Sequence, residues 1–125
     1  MNTSKSRTIM VVEDDQSVRE MIVRALSSRY LICEAKDGLH ASELLAQMPP
    51  PALIICDVMM PRVDGFSLVR LLKGDAKLKA VPILFLTAKS NPADVTQGIT
   101  LGARHYMTKP FKMPDLIERV EKLAK

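Results

Sequence analysis

The sequence has no tryptophan, and aromatic residues make up only 4% of it. Single-stranded nucleic acid is held by stacking its bases on such rings, so direct nucleic-acid binding of that kind is not expected. Cysteine occurs twice, at Cys33 and Cys56, without the paired spacing of a metal site. Both stand in apolar runs and are expected as small buried hydrophobes. Histidine also occurs twice, at His40 and His105, with no cluster of further ligands around either; both are expected on the surface. No apolar run approaches the roughly 18 residues that a membrane span needs. The opening "MNTSKSRT" lacks the apolar segment of a signal peptide, so a cytoplasmic protein is expected, with no membrane partner. Repeats, linkers and low-complexity segments are missing too, and 125 residues suit one domain with one core.

What is present is an ordinary globular balance, 47% apolar and 26% charged. Short apolar runs alternate with segments of 3.6-residue period. "TIMVV" (8–12) precedes Val18, Met21, Ile22, Ala25 and Leu26, and "YLICEA" (30–35) precedes Ala41, Leu44, Leu45 and Met48. "ALIIC" (52–56) precedes Phe66, Val69 and Leu72, and "VPILFLT" (81–87) precedes 93–101. "HYMT" (105–108) precedes Met113, Leu116, Ile117, Val120 and Ala124. Recurrence at i, i+3, i+4 and i+7 marks one face of a helix. The runs between are continuously apolar rather than alternating, as in strands covered on both faces. Five β-α units therefore predict an α/β fold, a parallel sheet with helices on both faces and right-handed crossovers.

Punctuation agrees with this division. Pro49-Pro50-Pro51 is expected to stop the second helix, and Gly74 and Gly102 to follow the third and fourth. Asn91-Pro92 is expected to open the fourth, and Asp64-Gly65 has turn chemistry ahead of the third. The fourth helix carries Val95, Thr96, Gly98 and Thr100, all weak helix formers, which makes it a candidate moving part.

Open parallel sheets bind ligands at the carboxyl ends of their strands. There the first strand runs into Glu13-Asp14-Asp15, the third into Asp57, the fourth into Thr87 and the fifth into Lys109. Lys36-Asp37, after the second, is given no role. Clustered carboxylates repel unless a cation intervenes. Lys109 supplies one charge, and the rest suits a hard divalent ion such as Mg²⁺. A central carboxylate beside Mg²⁺, an ammonium and a hydroxyl is equipped to attack phosphorus. Asp57, in the middle of the edge, is the best nucleophile. Glu13 and Asp14 are placed to reach a metal, and Asp15 to begin the first helix, where its charge suits the dipole.

The pieces "VVEDD" (11–15), "CDVMMPRVDG" (56–65), "LTA" (86–88) and "TKPF" (108–111) lie in order across nearly the whole chain. In these the chain resembles the receiver domains of bacterial two-component response regulators. The resemblance implies a single-domain flavodoxin-like (βα)5 fold of strand order 2-1-3-4-5, over residues 8–125, after a flexible N-terminal segment, 1–7. It implies that Asp57 is the phosphoacceptor and becomes 4-aspartylphosphate. Asp14 would meet Mg²⁺ directly, Glu13 largely through water, and Met59 through its backbone carbonyl. Thr87 and Lys109 would bind the phosphoryl oxygens, Lys109-Pro110 would be a cis peptide, and Tyr106 would be the aromatic that turns inward as Thr87 moves. Met59 and Lys89, flanking the site, would influence the lifetime of the phosphate; the side chains of Met59 and Met60 are otherwise expected as packing. The donor would be a phosphohistidine on a sensor histidine kinase or phosphotransfer protein. The chain would not be an enzyme beyond its own phosphotransfer and dephosphorylation. A stand-alone receiver and the N-terminal part of a longer regulator both accommodate this reading.

The implied strand order also bears on the cysteines. Cys33 and Cys56 fall on strands separated by another, roughly 9.5 Å apart, too far for a disulfide.

Two departures and three competing readings complete the picture. Arg104 and His105 stand where acids often precede the aromatic of the last strand. Taking Glu13, Asp14, Asp15 and Asp57 from the 14 acids and Lys109 from the 18 bases leaves the remaining surface about +7. An output partner with an acidic contact face is therefore expected to meet the face of the fourth helix, fifth strand and fifth helix. A phosphatase of the haloacid-dehalogenase type needs a second Asp two residues after the nucleophile, where Met59 stands. A flavin-binding flavodoxin needs a first loop rich in Ser, Thr and Gly, where "EDDQS" stands. A pseudo-receiver, an interaction module that is never phosphorylated, remains the alternative.

Overall fold

The computed structural model describes residues 7–58, 65–88 and 105–124. Its elements in chain order are β1 (Thr8–Val12), α1 (Gln16–Leu26), β2 (Leu31–Ala35), α2 (Gly38–Leu45), β3 (Leu53–Asp57), α3 (Gly65–Lys73), β4 (Ile83–Ala88), β5 (His105–Lys109) and α4 (Met113–Leu123). The helix expected over 93–101, with its flanking Asn91-Pro92 and Gly102, lies outside the described residues, as do the Asp64 turn and most of the segment 1–7. Arg7, the last residue of that segment, is tied twice. Its Nη1 donates to the Ala124 carbonyl at 3.0 Å, and its own carbonyl accepts from the Leu31 N–H at 2.9 Å.

The five strands form one parallel sheet of order β2-β1-β3-β4-β5. Strand alternation divides the core in two. Met10, Val12, Ile54, Cys56, Ile83 and Phe85 pack on one face with Ala41 and Leu45 of α2 and Leu68, Val69 and Leu72 of α3. Ile9, Val11, Leu53, Ile55, Leu84 and Leu86 pack on the other with Ile22 and Leu26 of α1 and Leu116 and Val120 of α4. β3 is buried along its whole length, which explains why its sequence is an unbroken apolar run up to Asp57. Burying one such aliphatic side chain stabilises by roughly 1.5–3 kcal/mol. Cys33 pairs with Met10 and Cys56 with Val12 on opposite sides of β1, and both cysteines are free.

Carboxylates begin two helices. Asp15 Oδ1 accepts from the N–H groups of Ser17 and Val18 at 2.9 and 3.2 Å, and Asp37 Oδ1 accepts from the His40 N–H at 2.7 Å. Each satisfies donors that a helix leaves open at its start. α2 ends earlier than its apolar period implies, at Leu45 rather than at the prolines. A residue before proline avoids the helical region, so Met48 leaves the helix, and the chain tightens through a Gln47 N–H bond to the Leu44 carbonyl. The Met48 side chain still packs on the core. Gly74 follows α3 as expected, donating its N–H to the Arg70 carbonyl.

The histidines depart from the surface placement. Both are half-buried, and His40 Nδ1 accepts from the Lys36 N–H at 3.2 Å. That bond links the end of β2 to α2 and exists only because Asp37 starts the helix between them.

Candidate functional site

The strand register brings the site residues to one edge. Val12 lies beside Cys56 in the β1–β3 pair, so Glu13 and Asp57 each stand one step beyond a matched pair. Asp57 lies beside Leu86, Thr87 beside Thr108, and Ala88 beside Lys109. By alternation Glu13, Asp57 and Lys109 follow the residues facing α1 and α4, whereas Thr87 follows Phe85 on the opposite face.

Lys109 joins the two buried acids. Its Nζ lies 3.0 Å from Asp57 Oδ2 and 3.1 Å from Glu13 Oε1. Glu13 is 1% exposed and Asp57 7%, so this is a largely desolvated triad of two carboxylates and one ammonium. Such charges persist in the interior only when each is paired. The ionised triad still carries one excess negative charge, and its strain falls on Glu13. Burial, then the charge of Asp57 and a hydrogen bond with it, push the Glu13 carboxyl up to about 7, against the opposing pull of the Asp15 N–H and Lys109. Burial draws Lys109 downward, but its bonds and charge interactions with Asp57 and Glu13 outweigh that and leave its pKa raised.

Asp14 is exposed, and its carboxylate completes a group. One carboxylate oxygen each from Glu13, Asp14 and Asp57 lie within 4.8 Å of one another. Three carboxylates against one ammonium leave two negative charges, and the donors are all hard oxygens. That donor set fits Mg²⁺. Asp15 is not in the group; it caps α1.

Two further hydroxyls are distinctive. Thr87 Oγ1 and the Tyr106 hydroxyl are buried without a hydrogen-bond partner among the described residues. Native structures leave few buried polar groups unsatisfied, so each calls for an explanation. Tyr106 stacks on Phe85, centroids 5.6 Å apart at 28°, and burial pushes its phenol pKa up. Arg119 of α4 donates to the Tyr106 carbonyl at 3.1 Å. Lys109-Pro110 is cis.

The structure thus brings Glu13, Asp14, Asp57 and Lys109 together and sets Thr87 on the neighbouring strand, whereas Tyr106, three residues before Lys109 on β5, packs on the opposite face of the sheet against Phe85. Met59, expected to offer its carbonyl, lies outside the described residues, as do Lys89 and Arg104. The reading from sequence missed Arg19. Its Nη1 donates to the Glu13 carbonyl at 2.8 Å, and its Nε pairs with Glu34 Oε1 at 3.2 Å. Neither spacing has a sequence signature, since Glu34 reaches α1 only through the sheet.

Comparison with known proteins agrees with this geometry. The family description "Response regulator receiver domain" matches residues 9–121. Response regulator MprA of Mycobacterium tuberculosis is 40% identical over 118 residues, which cover 94% of this chain and 50% of that protein. The chain therefore spans about half the length of the curated relatives it matches. The signal receiver domain of a signal transduction histidine kinase from Syntrophus aciditrophicus superposes with a TM-score of 0.86 at 35% identity, covering 94% of this chain and 89% of that one. A putative response regulator from Chloroflexus aurantiacus gives 0.87 at 32%, covering 94% and 97%. With its sheet order, its edge of acids and this match over nearly its full length, the chain belongs to the response regulator receiver domain family.

Proposed function

We propose that the protein is a phosphorylation switch and that Asp57 is its phosphoacceptor. The observation that carries this reading is a buried carboxylate at the end of the central strand, held 3.0 Å from a lysine and beside two further acids. An Asp57 oxygen attacks the phosphorus of a phosphohistidine on a sensor kinase or phosphotransfer protein. The new O–P bond forms as the P–N bond breaks, and the donor histidine leaves neutral after taking up a proton. Glu13, Asp14 and Asp57, with the Met59 carbonyl, would hold Mg²⁺, which when bound neutralises charge on the phosphoryl oxygens. Lys109 stays fixed by Glu13 and can turn its remaining donors to a phosphoryl oxygen. Thr87, whose hydroxyl has no partner among the described residues, can donate it to another. A bond of Thr87 toward the phosphate would change the space beside Tyr106 and shift the face around β5 and α4, which a partner reads. The chain's turnover would be confined to its own acyl phosphate, and residues 8–125 form the receiver unit.

Incubation with acetyl phosphate and Mg²⁺ is expected to add one phosphoryl mass to the intact protein and none to Asp57→Asn. A gain in both, or in neither, would overturn the assignment.

The output partner is proposed to be acidic on its contact face. Lys112, at the start of α4, is exposed and makes no capping bond with its side chain, and the surface apart from the site is strongly basic. The double change Arg104→Glu with Lys112→Glu is expected to weaken partner binding at low salt, with the loss shrinking as salt screens the contact. Unchanged affinity at low salt would remove this part of the reading.

A further inference from the structure

The acid pair is branched from a single peptide unit. The Glu13 side chain leaves one side of the Glu13–Asp14 peptide and the Asp14 side chain the other, so the tilt of that peptide sets how the two carboxylates sit relative to each other. Glu13 donates its N–H to the Ala35 carbonyl of β2 at 3.1 Å, which anchors the strand side. The Asp15 N–H closes onto Glu13 Oε2 at 3.2 Å, which ties the carboxylate to its own loop. The carbonyl of the peptide itself is held by Arg19 Nη1 at 2.8 Å. Arg19 lies one turn into α1 with only 17% of its side chain exposed, and its Nε is aimed by Glu34 Oε1 of β2 at 3.2 Å.

We propose that Arg19 is a positioning residue for the divalent cation: it fixes the tilt of the Glu13–Asp14 peptide and so presets the acid pair for Mg²⁺. This rests on the Mg²⁺ reading of the site given above. The Arg19–Glu34 pair has one half-exposed member, and such pairs contribute little to stability. What the geometry offers instead is direction. A planar guanidinium held at one edge by a carboxylate can present its other edge at one angle only. Groups behind a metal's ligands commonly act this way, and losing one typically weakens metal binding about 10- to 100-fold.

The sign of the effect separates this role from plain electrostatics. A cation beside a cation site repels the metal, so removing Arg19 should tighten Mg²⁺ if charge alone mattered. If position matters, removing it weakens Mg²⁺ despite the relieved repulsion.

The test is calorimetric titration of MgCl₂ into the wild-type chain, Arg19→Gln, Arg19→Lys and Glu34→Ala, with urea unfolding of each in chelator alongside. Arg19→Gln is expected to bind Mg²⁺ about tenfold more weakly or worse. Arg19→Lys should recover part of the loss, since an ammonium can reach the carbonyl but cannot be aimed by Glu34 at the same time. Glu34→Ala should fall between the wild type and Arg19→Gln. If Arg19→Gln binds Mg²⁺ as tightly as the wild type, or more tightly, the proposal falls, whatever has happened to its unfolding midpoint. Should Arg19→Gln not fold, Arg19→Lys decides, because it keeps the charge and loses only the aimed fork: unchanged affinity overturns the proposal and weakened affinity upholds it. A wild type that takes up neither Mg²⁺ nor a phosphoryl group would sink the underlying function as well, whereas an intact wild type with an unaffected Arg19→Gln sinks only the role of Arg19.

Discussion

Replacing Asp57 with Asn is expected to make the metal-free protein about 1–2 kcal/mol more stable at neutral pH, although it removes the proposed phosphoacceptor. Asn is nearly the same shape and keeps an oxygen for Lys109, but it takes one negative charge out of a buried cluster. Glu13 shows the cost of that charge. Its carboxyl titrates at about 7 in the folded chain against a usual 4.5. The unfolded chain therefore releases this proton first, and between those two values the folded state holds more protons. Stability then falls as pH rises through the interval, by at most about 3 kcal/mol for this one group. Burial is the larger cause and remains in the variant; only the part owed to Asp57 is recovered. Lys109 keeps Glu13 as a partner, so its own burial stays compensated. Urea unfolding in chelator at pH 7.5 and pH 5 checks the argument. The variant should lead at pH 7.5, and the difference should shrink at pH 5, where Glu13 is already protonated. Adding Mg²⁺ should then reverse the order, because a ligand that binds only the folded wild type stabilises it by about 2.7 kcal/mol at a hundredfold excess over its Kd. A variant less stable than the wild type in chelator at pH 7.5 would mean that the three acids do not strain the fold.

The parts of this structure that could be read in advance are those set by short-range pattern. β1 matches its apolar run residue for residue, and Asp15 was separable from Asp14 because a helix start has its own chemistry. The other strands shift by a residue or two because a buried strand runs until its backbone pairing ends, not until its last apolar side chain. Asp57 and Lys109 close their strands as expected, one residue beyond the last residue of each run quoted above. α2 shows the opposite error: Met48 keeps the helical period but not the helix, since proline chemistry acts one residue ahead of the proline itself. The convergence of Glu13, Asp57 and Lys109 needed more than pattern. It came from the rule that parallel sheets bind at their carboxyl edge, and the role of each residue came from the family resemblance. Arg19 was invisible because one partner is the Glu13 carbonyl and the other, Glu34, reaches it only across the sheet; Asp37, given no role, begins α2 by the same local chemistry as Asp15. That the hydroxyls of Thr87 and Tyr106 are buried without a partner among the described residues was invisible, because burial is not a property of a single residue.

Phe85 is where the core and the proposed switch are one object, and Phe85→Ala is expected to have the largest effect on stability of any core truncation on that side of the sheet. The ring is fully buried in the cluster shared by β1, β3, α2 and α3. Removing a buried phenyl typically costs about 3–5 kcal/mol, through lost transfer energy and the cavity left behind. Domains of this size are stable by only about 5–15 kcal/mol, so the variant should unfold at far lower urea. Phe85→Leu separates the two roles. It keeps most of the volume and should cost roughly 1.5 kcal/mol or less, but it removes the ring against which Tyr106 stacks at 5.6 Å. The chain has no tryptophan and only two tyrosines, so tyrosine emission, and near-ultraviolet circular dichroism read in the tyrosine band above the phenylalanine bands, report on Tyr30 and Tyr106. Tyr30 belongs to the opposite face of the sheet and should be unaffected. Phe85→Leu should therefore remain folded, with a changed tyrosine signal that traces to Tyr106, as the same measurement on Tyr106→Phe would show. If Phe85→Leu left the tyrosine spectrum untouched, Tyr106 would not depend on Phe85, and the route from Thr87 through the buried face to β5 would lose its middle member.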